Sequence, residues 1–466
     1  MPEIMTDQIH RLPGWRAADK IPPYLLGKNN YRSTPTIPDS YTNDSKIDLE
    51  QTLTGVPFYR HWKVYDRGPS FSLEDRMSEL PVLTKRDLRA NVPNGFVHEK
   101  YKCKDGFASG EIEMESTSGT AEDRVTVVWC QKWWDKSEQA AARLNTALNT
   151  IFQNPHREAV LTTPLCSGNI CHVSEATIGE RTIGNLLFLN QTLDPTAWDN
   201  RNIRRMTEEL NIFQPDIIEA DPAYLAILSR ACLIAGYPLY QPKCIVLTYE
   251  FPSHMHYRQI HRAFPGIPVV SSYGSTETGH VFTQCETGSF HQNVVTCHVD
   301  IQHFNEEFGN PGVGRILIST LGNPWFVLLR YDVGDLASVS SIDRCPCGRS
   351  EGLRIDGIEG RFRDITFDTK GRIVTVKHLD DALESIEALL QYKVVQTGPQ
   401  HFSMYYEAEP GTEHRLADVL PEILHIVYGK NAVIEISRNS GLVPEQSGKF
   451  RLAYTTWPLR GEAIFK

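Results

Sequence analysis

The chain has 466 residues, of which 41% are hydrophobic and 22% charged, and its formal net charge is −10. This length exceeds what one ordinary core supports, so we expect two or more domains of a globular protein. The acidic balance argues against a nucleic-acid-binding protein, which usually has a basic face. The sequence shows neither a membrane-length apolar run nor a signal-peptide pattern, so we expect a cytoplasmic protein that does not enter a membrane.

The chain begins with an irregular region. Residues 1–50 are rich in Pro, Asn, Ser and Asp and predict an arm that lies over the first domain. Clear α/β units follow this arm. Asp135 and Glu138 have the spacing of a capping box, which predicts an Ala- and Leu-rich helix that runs to about Phe152.

Strands and helices then alternate. Strands are predicted at 217–220, 244–248 and 267–270. Asp221 is the expected N-cap of the helix after the first strand, Gly236 is its expected end, and a second helix is predicted at 253–264. This alternation indicates right-handed βαβ units and a mostly parallel sheet. Later strands are predicted at 314–321 and 325–331.

The pattern restarts after about residue 357. A hairpin around Gly371 is followed by predicted elements that form a self-sufficient α/β unit of roughly a hundred residues. These elements are a helix at 377–390, strands at 392–396 and 402–407, a helix at 413–428 and a strand at 432–437. The sequence therefore predicts an α/β fold with an N-terminal core over 1–357 and a mobile C-terminal domain over 358–466.

Two stretches carry the functional prediction. Residues 271–279, SSYGSTETG, follow an apolar run at the end of a predicted parallel strand, where ligands bind in such sheets. Gly274 permits close backbone approach to a flat ligand, and Tyr273 offers a ring face. Glu277 offers a carboxylate for Mg²⁺ beside phosphates. Lys449, in the sequence SGKF near the C-terminus, can reach a phosphate or a carboxylate as a point charge.

The order and separation of these motifs resemble the AMP-forming adenylate-forming superfamily, in particular its phenylacetate–CoA ligase branch. The resemblance covers about residues 114–451. It implies a large N-terminal α/β domain of several subdomains, with mostly parallel sheets, and a small mobile C-terminal α/β domain. It also implies that ATP activates a carboxylic acid to an acyl-AMP, with release of pyrophosphate.

The resemblance places a phosphate loop at Ser116, Thr117, Ser118, Gly119 and Thr120. Hydroxyls and backbone N–H groups of such a loop can hold the β- and γ-phosphates while pyrophosphate leaves. The next residues depart from the family's usual Thr-Gly-Lys-Pro. Glu122 and Asp123 are electrostatically unfavourable beside phosphates, so Arg124 is the candidate substitute for the lysine.

The rest of the site also follows from the resemblance. It assigns nucleotide binding to Glu250, Tyr273, Gly274, Ser275, Thr276, Asp335 and Arg361. Asp335 would accept hydrogen bonds from both ribose hydroxyls, and Arg361 would lie near the ribose or a phosphate. Glu277 would hold Mg²⁺. Lys449 would stabilise the charge that develops between the acid and the α-phosphate, and Arg363 would be the pivot of the C-terminal domain.

A further constellation has the residues of a metal site. Cys285 and His291 form C-x5-H, and Cys345 and Cys347 follow in CPCG. Three thiolates and an imidazole suit a closed tetrahedral Zn²⁺ site, and some relatives bind zinc at similar positions. The alternative interpretation is three reduced cysteines and a surface histidine.

The acyl acceptor is less determined. The family's pantetheine turn, Gly-x-Asn-Ile-x-Pro, corresponds to 371–376, which keeps Gly371 but lacks the asparagine and the proline. We predict a thiol acceptor, CoA first, with Lys377 and His378 as cations for its phosphates. An amine, a carrier-protein thiol or release of the adenylate stays open, and such ligases often serve antibiotic biosynthesis.

The acid is expected to be a small aromatic carboxylic acid, by resemblance only. Its pocket is predicted at 162–169, Tyr249 and 271–274. Two alternatives remain: a degenerate homologue that binds a nucleotide or adenylate without turnover, and an unrelated α/β protein. Pyrophosphate release with a panel of aryl acids distinguishes enzyme from binder. The sequence leaves a homodimer open.

Overall fold

The computed structural model describes residues 49–117, 124–164, 176–341, 344–439, 442–456 and 464–465. The helices are α1 (Leu49–Gly55), α2 (Leu73–Ser78), α3 (Lys85–Asn91), α4 (Cys103–Ser109), α5 (Gln131–Ala142), α6 (Thr146–Phe152), α7 (Asn200–Phe213), α8 (Pro222–Ala235), α9 (His254–Ala263), α10 (Val376–Leu383) and α11 (Glu413–Tyr428). Short 3₁₀ segments occupy Pro57–Tyr65, Asn94–Phe96, Pro195–Ala197, Glu306–Phe308 and Phe362–Asp364.

The strands are β1 (Glu113–Ser116), β2 (Thr126–Trp129), β3 (Glu158–Leu161), β4 (Thr182–Ile183), β5 (Leu186–Phe188), β6 (Ile217–Ala220), β7 (Cys244–Leu247), β8 (Val269–Ser275), β9 (Gly279–Gln284), β10 (Phe290–Gln292), β11 (Cys297–His303), β12 (Val313–Thr320), β13 (Tyr331–Val339), β14 (Arg354–Arg361), β15 (Thr366–Phe367), β16 (Ile373–Val374), β17 (Leu389–Gly398), β18 (His401–Ala408), β19 (Val433–Arg438) and β20 (Ala453–Thr455). Among the helices of these described ranges, none has the length and apolar character needed to cross a membrane.

The predicted α/β class is confirmed, but the large sheet is mixed. Within the described part of the chain it has twelve strands in the order β11-β12-β13-β14-β10-β9-β8-β7-β6-β3-β5-β4. The neighbours from β8 to β5 pair in parallel. From β8 to β11 the neighbours pair antiparallel. The prediction of mostly parallel sheets is therefore wrong for this half, because hairpins replace the crossover helices after β8.

The βαβ region follows its local signals closely. The strand at 217–220 is confirmed, and Asp221 caps α8 by accepting hydrogen bonds from the backbone of Ala223 at 2.9 Å. Gly236 ends this helix in the left-handed conformation at φ 70°. Ser253 caps α9 within a capping box, as its position before the helix indicates. The strand predicted at 267–270 lies further along the chain, since β8 starts at Val269 and continues to Ser275.

The predicted helix from Asp135 to Phe152 is wrong in its boundaries. α5 already begins at Gln131, so Asp135 lies inside it, where it accepts a hydrogen bond from the Gln131 side chain at 2.7 Å. The capping box of Asp135 and Glu138 is therefore not the start of this helix. A second cap interrupts the run, because the Asn145 side chain accepts from the N–H groups that begin α6.

The strand predicted at 325–331 is also wrong. β13 begins at Tyr331, and the apolar residues before it are buried in an irregular segment. Tyr59 organises this segment, since its hydroxyl donates to the Val327 carbonyl at 3.0 Å and accepts from the Leu329 N–H at 2.9 Å. Long-range contacts with the 3₁₀ segment around Tyr59 thus replace strand pairing here. A local pattern of apolar residues does not predict such contacts.

The C-terminal elements form a separate four-stranded sheet. Strands pair in the order β19-β18-β17-β20, and α10 and α11 supply Leu379, Leu383, Leu420 and Leu424 to their common core. The helix predicted at 377–390 ends earlier, at Leu383, and the following chain enters β17 at Leu389. Residue 357, the predicted boundary, lies within β14. The division into a core and a mobile domain stays a prediction.

Candidate active site

The carboxyl ends of three parallel strands form a shared edge. After β3 and β6, the Asp221 N–H donates to the Leu161 carbonyl at 2.9 Å, and after β7 the Thr248 N–H donates to the Ala220 carbonyl at 3.0 Å. The chain then turns sharply at Tyr249, which has φ 73°, and the Glu250 N–H donates back to the Thr248 carbonyl at 2.9 Å. This is a γ-turn at a non-glycine residue, a strained conformation typical of functional sites.

The predicted catalytic lysine lies at this edge. Lys449 Nζ donates to the carbonyl oxygen of Tyr249 at 2.8 Å. The neighbouring Phe450 N–H donates to Glu250 Oε1 at 2.8 Å, and the Tyr224 hydroxyl lies 2.8 Å from the Gly448 carbonyl oxygen. The structure therefore brings the Lys449 segment and the Tyr249–Glu250 turn into direct contact.

A second group joins β8 to β13 and β14. The Tyr273 hydroxyl donates to Asp335 Oδ2 at 2.9 Å, and Asp335 stands opposite Arg361 in the strand register. Asp335 Oδ1 is 3.8 Å from Arg361 Nε. Burial, and then the Asp335 carboxylate, raise the pKa of Tyr273 well above its usual value, so the phenol stays protonated and donates. Three predicted nucleotide-site residues are thus neighbours.

Glu277 occupies the turn between β8 and β9 and is 5% exposed. The buried Tyr331 hydroxyl donates to Glu277 Oε1 at 2.9 Å, which fixes the orientation of the carboxylate. The hydroxyl oxygens of Ser275 and Thr278 are hydrogen-bonded across the same turn, 2.9 Å apart. At Gly274, a Cβ would overlap the Gly279 carbonyl oxygen across the hairpin, while its predicted approach to a ligand stays a prediction. The close approach of the two strands by itself requires glycine here.

The predicted phosphate loop is described only at its first residues. Ser116 ends β1 with its hydroxyl 3.3 Å from that of Thr126, and the Thr117 N–H donates to the Val125 carbonyl at 2.9 Å. Thr117 also accepts from the Val125 N–H through its hydroxyl at 3.0 Å. These residues therefore form the stem of a hairpin. Outside the described residues lie Ser118, Gly119, Thr120, Glu122, Asp123 and the 165–169 part of the acyl pocket.

Sequence reasoning missed a group of acids behind Tyr249. The Tyr249 hydroxyl donates to Glu219 on β6, and Glu158 on the adjacent β3 lies 2.6 Å from His156 Nε2. Burial, followed by repulsion from Glu158, raises the pKa of Glu219 to about 7. The same causes raise the pKa of Glu138, on α5, to about 8. The available signal was a glutamate inside each of the apolar strands EAVL and IIEA.

The raised pKa values of these buried acids predict that the stability of the protein depends on pH. A carboxyl whose pKa rises from 4.5 to about 8 on folding binds more protons in the folded state, so the free energy of unfolding falls as pH rises through this window. Glu138→Gln removes this loss and should raise the melting temperature at pH 8 by roughly 2 °C, with little change at pH 5. Thermal unfolding of Glu138→Gln and of an exposed control, Glu351→Gln, tests this. If Glu138→Gln changes the melting temperature by the same amount at pH 5 and at pH 8, this prediction is wrong.

The predicted acceptor turn is a hairpin followed by α10. Gly371 adopts φ 81° between β15 and β16, and Thr375 caps α10 by accepting from the His378 N–H at 3.1 Å. Burial lowers the pKa of His378 to about 4, so its ring is neutral near pH 7. In this arrangement His378 is neutral and Lys377 is paired with Asp381. The use of these two residues as cations for CoA phosphates stays a prediction.

The four predicted metal ligands converge in the antiparallel half. Their candidate ligand atoms all lie within 4.8 Å of one another, on Cys285, His291, Cys345 and Cys347. Cys285 Sγ and Cys345 Sγ are 3.8 Å apart, and Cys347 Sγ is 3.3 Å from His291 Nε2. Zn–S bonds of about 2.3 Å in a tetrahedron place two sulfurs about 3.8 Å apart, so the spacing fits Zn²⁺.

The environment also favours a thiolate. Burial opposes ionisation of Cys345, but hydrogen bonds, first from the Thr287 hydroxyl 3.2 Å away and then from the Cys347 backbone, lower the pKa of this thiol to about 5. The candidate ligands lie on the β9–β10 hairpin and on the connection between β13 and β14. A metal bound here would join two parts of the sheet that are distant in the sequence.

No protein-family model matches the chain, and no curated protein matches it. Solved structures do. A crystal structure of 2-hydroxyisobutyryl-CoA ligase in the postadenylation state, in complex with 2-HIB-AMP, aligns with a TM-score of 0.64 and 16% identity over 92% of this chain and 93% of that one. An open conformation of that ligase, in complex with 2-HIB-AMP and CoA, aligns with a TM-score of 0.56 and 17% identity over 90% and 91%. Its thioesterification state gives 0.52 and 17% over 89% of each chain. The chain therefore has the fold of the adenylate-forming ligases, with a C-terminal α/β domain.

Proposed function

We propose that the protein uses ATP to activate a carboxylic acid to an acyl-AMP, releases pyrophosphate, and transfers the acyl group to an acceptor. The observation that carries this proposal is the position of Lys449, whose Nζ bonds the Tyr249 carbonyl at the carboxyl edge of the parallel strands. The fold shared with adenylate-forming ligases supports it. The phenylacetate–CoA ligase branch is the finer proposal and rests on the motifs.

The nucleotide would lie against Tyr273, Asp335 and Arg361, which already contact one another. Asp335 would accept hydrogen bonds from the ribose hydroxyls, and the ring of Tyr273 would face the base. Glu277 would hold Mg²⁺, with its carboxylate oriented by the hydrogen bond from Tyr331. Bound Mg²⁺ would offset the negative charge of the phosphates.

In the first half-reaction, a carboxylate oxygen of the acid bonds to the α-phosphorus and the bond to pyrophosphate breaks. Lys449 would exchange its Tyr249 carbonyl partner for the oxygens on which charge develops. The pocket for the acid would be drawn from Thr162, Thr163, Tyr249 and 271–274, beside this lysine. An aromatic acid is the proposed substrate class.

Pyrophosphate release with a panel of aryl acids tests the proposal. We expect release that depends on both ATP and one of the acids, and that is lost in Lys449→Ala. ATP binding without acid-dependent release from any acid would favour the degenerate, nucleotide-binding alternative. Release that does not require an acid would contradict acid activation.

For the acceptor we propose a thiol, with CoA as the first candidate. Gly371, at φ 81°, still permits close backbone approach of a pantetheine arm, which supports this choice. With acid, ATP, Mg²⁺ and millimolar CoA, mass spectrometry should show the acyl thioester. A competent adenylate without thioester would reject CoA and favour an amine or a carrier-protein thiol. Comparing products with and without each acceptor separates these outcomes.

A further inference from the structure

Glu250 contacts the segment that carries Lys449. The resemblance assigns it to the nucleotide site, yet its Oε1 accepts the backbone N–H of Phe450, next to Lys449. We propose that Glu250 and Tyr224 are positioning residues, which form a receptor for residues 447–450 and act through Lys449. This inference rests on the proposed function, in which Lys449 is the catalytic cation.

The contacts hold the segment on both sides of the lysine. Before Lys449, the Gly448 carbonyl oxygen lies 2.8 Å from the Tyr224 hydroxyl, whose proton it shares with the Leu193 carbonyl at 2.9 Å. After Lys449, Phe450 donates to Glu250 at 2.8 Å. Two backbone anchors on either side of one residue fix the point from which its side chain extends, so Nζ reaches a defined position.

The receptor also requires glycine. Gly448 has φ 81°, and a Cβ at this position would overlap the Thr163 hydroxyl and approach the Tyr224 hydroxyl to 3.0 Å. The segment therefore lies directly on the ends of β3 and α8, without room for a side chain. Tyr224 is fully buried, and its ring centroid is 6.4 Å from that of Phe450 in an edge-on arrangement.

The charges around the receptor favour the docked lysine. Asp221 is completely buried, and its Oδ2 has no hydrogen-bond partner among the residues that the structure describes. Burial raises the pKa of Asp221 to about 7, and the positive charge of Lys449 partly offsets this increase. Burial and then Asp221 raise the pKa of Glu250 well above its usual value. Because the charge of Lys449 lowers the pKa of both acids, its departure would destabilise their ionised forms, which favours the docked state.

Two roles for Glu250 make different predictions. If Glu250 acts through Lys449, its removal lowers acid-dependent ATP–pyrophosphate exchange but has no further effect once Lys449 is absent. If it contacts the nucleotide, its removal raises the KM for ATP, and the two losses multiply.

The kinetic experiment compares Glu250→Ala, Glu250→Gln, Lys449→Ala and the Glu250→Ala/Lys449→Ala double variant. We expect roughly tenfold or greater loss of exchange in Glu250→Ala, the size of a lost hydrogen bond to such a group, with an unchanged KM for ATP. Glu250→Gln keeps an acceptor oxygen and should restore most of the activity. The double variant should equal Lys449→Ala. A raised KM for ATP, or multiplied losses, would overturn the proposal.

Hydrogen exchange supplies a readout that does not depend on turnover. In Glu250→Ala and in Tyr224→Phe, backbone amides of residues 447–451 should exchange faster than in the wild type. The surface control Glu409→Gln, whose partner is Arg262, should not change them. Unchanged hydrogen exchange of these amides in both Glu250→Ala and Tyr224→Phe would overturn the docking proposal, but it would not contradict the adenylation reaction. Absence of acid-dependent ATP–pyrophosphate exchange in the wild type would instead reject the proposed function. The hydrogen-exchange rates would still show whether Glu250 and Tyr224 hold residues 447–450.

Discussion

Lys449→Ala is expected to abolish acid-dependent ATP–pyrophosphate exchange, or to lower it at least ~100-fold. A preorganised charge at the point where transition-state charge develops is worth about 3–4 kcal/mol. The receptor places this ammonium at the edge of β3, β6 and β7, and alanine leaves no cation on the segment. Exchange rates at saturating ATP and acid measure the effect.

The same variant should remain folded. The side chain is half-buried, and Nζ makes its hydrogen bond to one backbone carbonyl, so little packing is lost. Lys243→Ala is the control, since Lys243 is 72% exposed and pairs with Asp216. Full exchange activity in a folded Lys449→Ala protein would remove this lysine from the mechanism.

If the cluster of Cys285, His291, Cys345 and Cys347 binds the predicted Zn²⁺, Cys345→Ser should remove the metal and lower the melting temperature by roughly 10 °C, because metal-binding free energy at such sites contributes directly to folding. Protein purified without chelator should contain about one Zn²⁺ per chain. The candidate ligands Cys285, Cys345 and His291 are at most 5% exposed. Without a metal, two thiols and an imidazole would therefore be buried side by side.

The choice of acid should not change in this variant, since none of the four residues of the cluster belongs to the predicted acyl pocket. Cys103→Ser, which alters a thiol outside the cluster, is the matched control. A native protein that contains no metal, and whose melting temperature does not change in Cys345→Ser, would refute the zinc prediction.

Local signals were sufficient where the chain interacts with its near neighbours. Asp221 and Gly236 define the ends of α8 because a cap and a left-handed glycine act within a few residues. The spacing of CPCG and C-x5-H likewise predicted a cluster that the fold then brings together.

Long-range contacts could not be predicted in this way. The antiparallel pairing of β9 to β14 depends on hairpins whose partners are set by the whole sheet. The irregular segment before Tyr331 is determined by Tyr59, far away in the sequence. Glu250 is a further case: its motif indicates a nucleotide, whereas its bond to Phe450 depends on where the C-terminal elements lie.

The most direct test of acid activation follows an oxygen atom. The enzyme is given ATP, Mg²⁺, an acceptor and an acid labelled with ¹⁸O in its carboxylate, and the AMP is analysed by mass spectrometry. In the proposed reaction the acid oxygen bonds to the α-phosphorus, and attack by the acceptor on the carbonyl carbon then breaks the carbon–oxygen bond. The account predicts AMP that carries one labelled oxygen. Unlabelled AMP, or formation of ADP and phosphate instead, would contradict it.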